Sequence, residues 1–379
     1  MQARFVLTIG LVLDENARYA DGKGREYYID YVVNRSSIRQ WSLKQLAAYG
    51  YDSATGIWAE CPGYSQVVLN DYTDLVTLFD RNLGRDLTAE LPVILQAARA
   101  NFQYLFPDRL TLGFGDTHPS MLNPAIYARL VANAQRHGKR EQEFTAMYKL
   151  LTAPADRPAT AGGAAAPKAA APAKPKVKVA VTSFFADKPL VTDDRIPAAC
   201  IDSCVTPAFH APNASWLVLR NGMDRRHSLM AAVNGSLGNH MHANGISLEL
   251  YGKGYRLAPD GGIGLTLYSG LDYLEYYSQF PAHNTVCVDG ISAYPVMKSN
   301  HAFRLQNCFP QPGAAVAYAP VSLSDVYFHE PESDADQRRQ TCIVTTGAST
   351  GYYVDIFRSR KREGGDKMHD YFYHNLGQE

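Results

Sequence analysis

Two histidines sit two residues apart in Gly238-Asn239-His240-Met241-His242-Ala243-Asn244-Gly245, and an alternating run, Ile246-Ser247-Leu248-Glu249-Leu250-Tyr251, follows them. In an extended chain, residues i and i+2 share a face and lie roughly 6.5–7 Å apart. Two imidazoles presented side by side can serve one metal, or a metal and a reacting centre. Asp260, in Ala258-Pro259-Asp260-Gly261-Gly262, and His283, in Ala282-His283-Asn284-Thr285-Val286, come further along. Imidazole nitrogens and a carboxylate oxygen form a ligand set that Zn²⁺ accepts. The chain holds 11 histidines in 379 residues, so spacing alone equally fits a polar strand edge with satisfied histidines.

Those groups need elements to position them. Apolar residues recur at helical spacing in 4–13, 41–48, 66–82, 87–106 and 124–152, as amphipathic helices require. Leu91, Ile94, Leu95, Ala98 and Phe102 mark one buried face, and Pro107 and Pro119 act as breakers. The stretch from Tyr49 to Tyr64, rich in Gly, Asp and aromatics, reads as a loop. The apolar run from Met1 to Leu13 has a thin basic start and no small-residue cleavage site, so it reads as a buried helix rather than an export signal. Residues 154–178, APADRPATAGGAAAPKAAAPAKPKV, cannot bury a core and read as a linker. From 179 onward the period changes to two. Strands are expected at 179–181, 216–220, 247–250, 285–288 and 352–356, with turns at Asn221-Gly222, Asn234-Gly235 and Asp289-Gly290. The expected organisation is a helical domain at 1–153, a linker at 154–178 and an antiparallel β-sandwich at 179–379.

Composition narrows the partners. The 37 basic and 37 acidic residues cancel, which removes the electrostatic case for nucleic acid or an anionic membrane. A local basic cleft for a polyanion stays open. No apolar run reaches the roughly 20 residues of a membrane span. The 24 tyrosines suit sugar faces, and individually suit sheet packing better. The six cysteines, Cys61, Cys200, Cys204, Cys287, Cys308 and Cys342, form no metal-type pair. Cys200 and Cys204 could bridge in an oxidising compartment, and buried free thiols are the plainer expectation.

The run from His240 to Gly290 resembles the C-terminal β-domain signature of the heparinase II/III-like polysaccharide lyases, heparinase II most of all. The matching stretches are GNHMHANGISLELYGKGYRLAPDGG and YSGLDYLEYYSQFPAHNTVCVDG. The resemblance implies an incomplete (α/α) toroid followed by an antiparallel β-sandwich. It implies β-elimination on a uronate-containing acidic polysaccharide such as heparan sulfate, another glycosaminoglycan, alginate or an ulvan-like polymer. It makes His240 catalytic and gives His242, Asp260 and His283 one structural Zn²⁺. The stretch Gly56-Ile57-Trp58-Ala59-Glu60-Cys61-Pro62-Gly63-Tyr64-Ser65 is similar to the family segment that carries a catalytic tyrosine, which is Tyr64 here. Tyrosine and histidine can remove the C5 proton of a uronate and protonate the leaving oxygen when the site tunes them.

Glu60, His118, Asn239 and Tyr276 are weaker candidates for substrate contact. The amides of Asn239 and Asn244 suit turns at least as well, and Arg220 on its strand suits a surface or packing role. Glu249 or Asp289 is the expected second-shell acceptor for a ligating histidine. Two departures stand against the family pattern. No Asn or His motif that would neutralise the uronate carboxylate precedes Tyr64, and the chain stops in the middle of a β-domain. It therefore reads as a fragment of a longer periplasmic or secreted protein, and a homodimer through the β-domain is plausible. Two other readings remain: a zinc hydrolase acting through a metal-bound water, and a non-catalytic carbohydrate-binding protein.

Overall fold

The computed structural model describes residues 2–154, 190–265, 271–292, 298–364 and 367–375. The expected linker, from residue 155 onward, and the expected strand at 179–181 lie outside these residues.

The helices come first: α1 Gln2–Val12, α2 Arg25–Val33, α3 Leu43–Gly50, α4 Pro62–Leu83, α5 Leu87–Glu90, α6 Val93–Ala100, α7 Pro124–His137 and α8 Glu141–Thr152. Local chemistry sets their ends. The Ser42 side chain caps α3 by accepting from the Gln45 backbone N–H, and Asn123 caps α7 through Ala125. Proline opens α4 and α7, and a left-handed glycine, Gly84 or Gly138, closes each.

Three expectations change in detail. The helix expected at 87–106 is α5, α6 and a short 3₁₀ turn, with Pro92 at the break. The helix expected at 124–152 turns at Gly138 into α7 and α8. Helix α1 forms, but it is not buried: Leu7 is covered while Phe5, Ile9 and Val12 are exposed. Helix α2 was not expected, because Ile29, Val32 and Val33 are its whole buried stripe.

Two antiparallel sheets follow. The inner one has the order β1-β2-β3-β5-β6, with β1 Ala208–Ala211, β2 Trp216–Arg220, β3 Met230–Asn234, β5 Ser247–Gly252 and β6 Tyr255–Ala258. The outer one has the order β12-β11-β10-β9, with β9 Arg304–Phe309, β10 Val321–Glu330, β11 Ala335–Gly347 and β12 Thr350–Lys361. Two short ribbons pair β4 Ser236–Asn239 with β8 Lys298–His301, and β7 Val286–Val288 with β13 His369–Tyr371.

The inner sheet is buried on both faces. Trp216, Val218, Met230, Ala232 and Tyr251 pack against Tyr104, Phe106 and Phe114 of the helical part. Leu217, Leu219, Ala231, Val233, Leu248 and Leu250 pack against Val326, Phe328 and Ile343 of the outer sheet. Register keeps these sets apart, with Leu217 opposite Val233 and Val233 opposite Leu248. This is why β2 is apolar at successive positions, whereas β11 alternates and faces solvent on one side. Arg220 is fully buried between the layers, where its guanidinium donates to the Gln103 side chain and backbone and to the Thr206 carbonyl. All six cysteines are free; Cys61, Cys287 and Cys308 are buried, and Cys200 is exposed.

Trp216 is fully covered, and its ring stacks on Tyr104 at 4.6 Å between centroids. Trp216→Ala is expected to cost about 3–5 kcal/mol of unfolding free energy, read from a urea or guanidinium transition. A change below about 1 kcal/mol would mean that the helical layer and the inner sheet do not share this core.

Candidate functional site

The two histidines of the His-Met-His triplet are not presented on one face of a strand. Strand β4 ends at Asn239, and His240 takes a left-handed backbone with φ +55°. The turn sends the two rings to different places. The His240 side chain keeps 23% of its surface exposed, while that of His242 has none.

The chain is pressed into this turn from two sides. The Asp116 backbone N–H donates to the His240 carbonyl at 2.8 Å. Gly115, at φ +73°, lets that segment approach, since a Cβ there would lie 2.5 Å from the His240 oxygen. On the other side Gly238 is extended past Ala59, whose carbonyl a Cβ would meet at 2.4 Å. A left-handed histidine costs on the order of 1–2 kcal/mol, and these contacts hold it there.

Tyr64 lies in the first turn of α4 rather than in the preceding loop. Its ring lies flat on the His240 imidazole, with centroids 3.5 Å apart and an 8° angle between planes. Glu60 Oε2 is 3.3 Å from His240 Nδ1. The Asn239 amide donates to Glu60 Oε1 at 3.5 Å, and the two backbones form an isolated bridge. Tyr64, Glu60, Asn239 and His240 are therefore one partly open cluster, built from the α4 start and the β4 end.

A second cluster lies behind it. His242, Asp260 and His283 are buried, and each offers a ligand atom such that all three lie within 4.8 Å of one another. His283 Nδ1 is 2.8 Å from Asp260 Oδ2, and Asp260 Oδ1 accepts from the Gly262 N–H at 2.9 Å. His242 Nδ1 and His283 Nε2 are buried with no hydrogen-bond partner among the described residues. Burial lowers the pKa of His242 despite the pull of Asp116, which favours the neutral imidazole that a metal ligand must be. Burial works against the Asp260 charge, but the nearby His283 and His242 outweigh it and hold the carboxyl below the usual range. Two unpartnered buried nitrogens beside an ionised carboxylate fit a divalent cation.

Asp116 is the acceptor behind His242, with Oδ1 2.9 Å from Nε2, and it also accepts from the Tyr273 hydroxyl. The expectation of Glu249 or Asp289 in this place is corrected. Glu249 is buried, but its carboxylate accepts from the Gly113 N–H and the Asn234 amide. Burial, with repulsion from Asp260, pushes its pKa up to about 8. Asp289 pairs with Lys361. Asp116 stands in Gly115-Asp116-Thr117-His118, and a carboxylate beside a glycine was the only sign of it in the sequence.

The remaining candidates divide. Glu60 and Asn239 are at the open cluster. His118 is exposed and makes no side-chain contact with Tyr64 or His240 among the described contacts. Tyr276 is 42% exposed, and its hydroxyl meets His374 Nε2 at 3.2 Å. The His374 backbone N–H in turn donates to Asn284, next to His283, so Tyr276 borders the buried cluster instead. Asn244 is buried among Ser236, Ser247 and Asn234, a structural role.

Residues 205–352 match the model of the heparinase II/III-like C-terminal domain, and residues 54–166 match that of the second domain of endo-acting ulvan lyase. Residues 205–352 thus resemble the C-terminal domain of heparinase II/III-like proteins. An endo-acting ulvan lyase of Formosa agariphila is 26% identical over 94% of the present chain and 44% of its own length. The chain thus spans less than half of that relative. Among solved structures, heparinase III is 13% identical with a TM-score of 0.60, covering 96% of this chain and 47% of that one. Heparan sulfate lyase of Pedobacter heparinus is 15% identical with a TM-score of 0.56, covering 94% and 45%. These likenesses show that the chain shares their fold.

Asp116→Ala would strip His242 and Tyr273 of a buried acceptor. It is expected to destabilise the protein by about 2–4 kcal/mol, whereas Asp289→Ala should move the unfolding transition far less. Equal effects of the two substitutions would remove Asp116 from its central place.

Proposed function

We propose that this protein is a polysaccharide lyase that cleaves a uronate-containing acidic polysaccharide by β-elimination. The observation that carries the reading is the flat stack of Tyr64 on His240, in a cluster that stays open to solvent. Elimination needs two proton transfers at neighbouring atoms of one sugar linkage. A base takes the C5 proton, its electron pair forms the C4–C5 double bond, and the C4–O bond breaks. An acid then protonates the leaving oxygen. A phenol and an imidazole stacked ring on ring put two groups able to carry a proton side by side at a partly open site. The helices that carry Tyr64 are read as part of an incomplete (α/α) toroid, and the setting as periplasmic or secreted. No described helix is long and apolar enough to cross a membrane. The name of the 26% identical relative makes an ulvan-type polymer the first to test, and the structural neighbours make heparan sulfate the second.

His242, Asp260 and His283 are read as the holders of a structural Zn²⁺. When bound, the ion would supply a fixed crosslink between the turn after β4 and the segments around Asp260 and His283. The hydrolase reading is weaker on burial. A catalytic zinc keeps an open position for water and substrate, and these three side chains are 0–2% exposed.

Incubation with uronate polymers should produce ultraviolet absorbance from the new double bond. Tyr64→Phe and His240→Ala should each lower kcat by about 10²–10⁴. Reducing ends that appear without this absorbance would turn the assignment to a hydrolase, and full activity in both variants would end the residue assignment.

Removal of zinc by a chelator, or His283→Ala, should lower the thermal midpoint, with activity falling in step with the folded fraction. Activity lost while the protein stays fully folded would instead put the ion in the chemistry.

A further inference from the structure

We infer that the outer face of the β9–β12 sheet is a second binding surface for an acidic polysaccharide, with Arg304, Arg358 and Arg360 as its anion contacts. The choice of a polysaccharide as occupant rests on the proposed function. The chain is neutral overall, with 37 basic and 37 acidic residues, so a local excess of one sign depends on how the fold sorts charge. Sheet register sorts it here. Arg358 stands opposite Arg338, Arg338 opposite Tyr327, and Tyr327 opposite Arg304. Directly opposed residues project to the same face. With neighbouring strands about 4.7–4.9 Å apart, the row crosses about 14 Å of sheet. Arg360 follows Arg358 by two residues and so shares that face, opposite Asp336.

The carboxylates on this face are already committed. Asp325 accepts from Arg338 Nε at 2.7 Å and from the Gln340 amide. Asp336 holds Arg362 at two points, 2.9 and 3.0 Å. Asp334 lies beside His329 at the hairpin end. Arg304, Arg358 and Arg360 are exposed, and none has a carboxylate partner among the described contacts. The Arg304 guanidinium sits 4.8 Å from the Tyr327 ring centre, which ties it to the row without neutralising it. Like charges directly opposite one another destabilise a sheet, and a bound anion relieves that repulsion. Guanidinium forks match the paired oxygens of carboxylate and sulfate groups. A row of them fits a linear polymer charged on successive sugars. The other face of this sheet packs on the inner sheet, so the row points away from the helical layer that carries Tyr64. A polymer held there leaves the open cluster free, and a second attachment raises the local concentration of the same chain.

The test measures the Kd for heparan sulfate and for an ulvan-type polymer in the Tyr64→Phe background, where cleavage is slow. Arg304→Ala/Arg358→Ala/Arg360→Ala is expected to weaken binding of at least one polymer about tenfold or more and to make its salt dependence shallower. A control that removes three exposed cations elsewhere, Arg18→Ala/Arg226→Ala/Lys253→Ala, should change Kd less than about twofold. The arginine triple should not lower the thermal midpoint, since it relieves repulsion. If it does, Arg358→Gln/Arg360→Gln keeps most of the side-chain bulk and should still weaken binding about threefold or more. Affinity for both polymers that ignores the arginines, an equal loss in the control triple, or duplex DNA bound as tightly as either polysaccharide overturns the assignment. Turnover is read separately with Tyr64 intact. A protein that eliminates no uronate polymer ends the lyase reading, while an arginine-dependent Kd in that same protein still supports the surface.

Discussion

Asp116 is the constraint on which the candidate site depends. Its backbone N–H holds the His240 carbonyl, and one carboxylate oxygen accepts from both His242 and Tyr273. The side chain is completely buried. A buried carboxylate is costly unless it is paired and hydrogen-bonded, so these partners are not free to wander. One residue from the helical half thus fixes the strained turn at His240, the ring plane of His242 and the helical turn that carries Tyr273. The open cluster and the buried one are set by the same short segment, Gly115–Asp116.

That segment can reach the β-half because the inner sheet has no solvent face. Its helical side is packed with Trp216, Met230 and Tyr251 against Tyr104, Phe106 and Phe114. The far side is filled by the outer sheet. A sheet clamped between two layers cannot slip in register without exposing an apolar row. The buried guanidinium of Arg220 adds polar ties across the same junction.

The residues with distinctive side chains were legible in the sequence. The His-Met-His triplet, Asp260, His283 and Tyr64 all fall in the two clusters, and strand β2 has the expected bounds. What failed to show were relations that depend on tertiary approach. Periodicity assigned a strand to the triplet, whereas packing against Ala59 and Asp116 forces a turn. Helix α2 buries too few residues to leave a pattern. Helix α1 has the pattern of a buried helix yet exposes Phe5, Ile9 and Val12. Asp116 lies 126 residues from its partner His242, and no local rule links a carboxylate to so distant an imidazole. Glu249, only seven residues beyond His242, is the nearer candidate along the chain, and the fold spends it on Gly113 and Asn234.

The left-handed backbone at His240 explains how adjacent histidines acquire opposite environments. On a regular strand, both rings would share one face and one dielectric. The turn separates them. His242 goes into a dry pocket, where loss of solvation favours the neutral form and where its two nitrogens divide between Asp116 and the His283 side of the cluster. His240 stays at the rim, where Tyr64 and Glu60 bound the ring on one face and one edge. A metal ligand needs the first environment and an acid–base group the second. The turn at one residue therefore gives the two histidines different surroundings, and the same Asp116 segment contacts both.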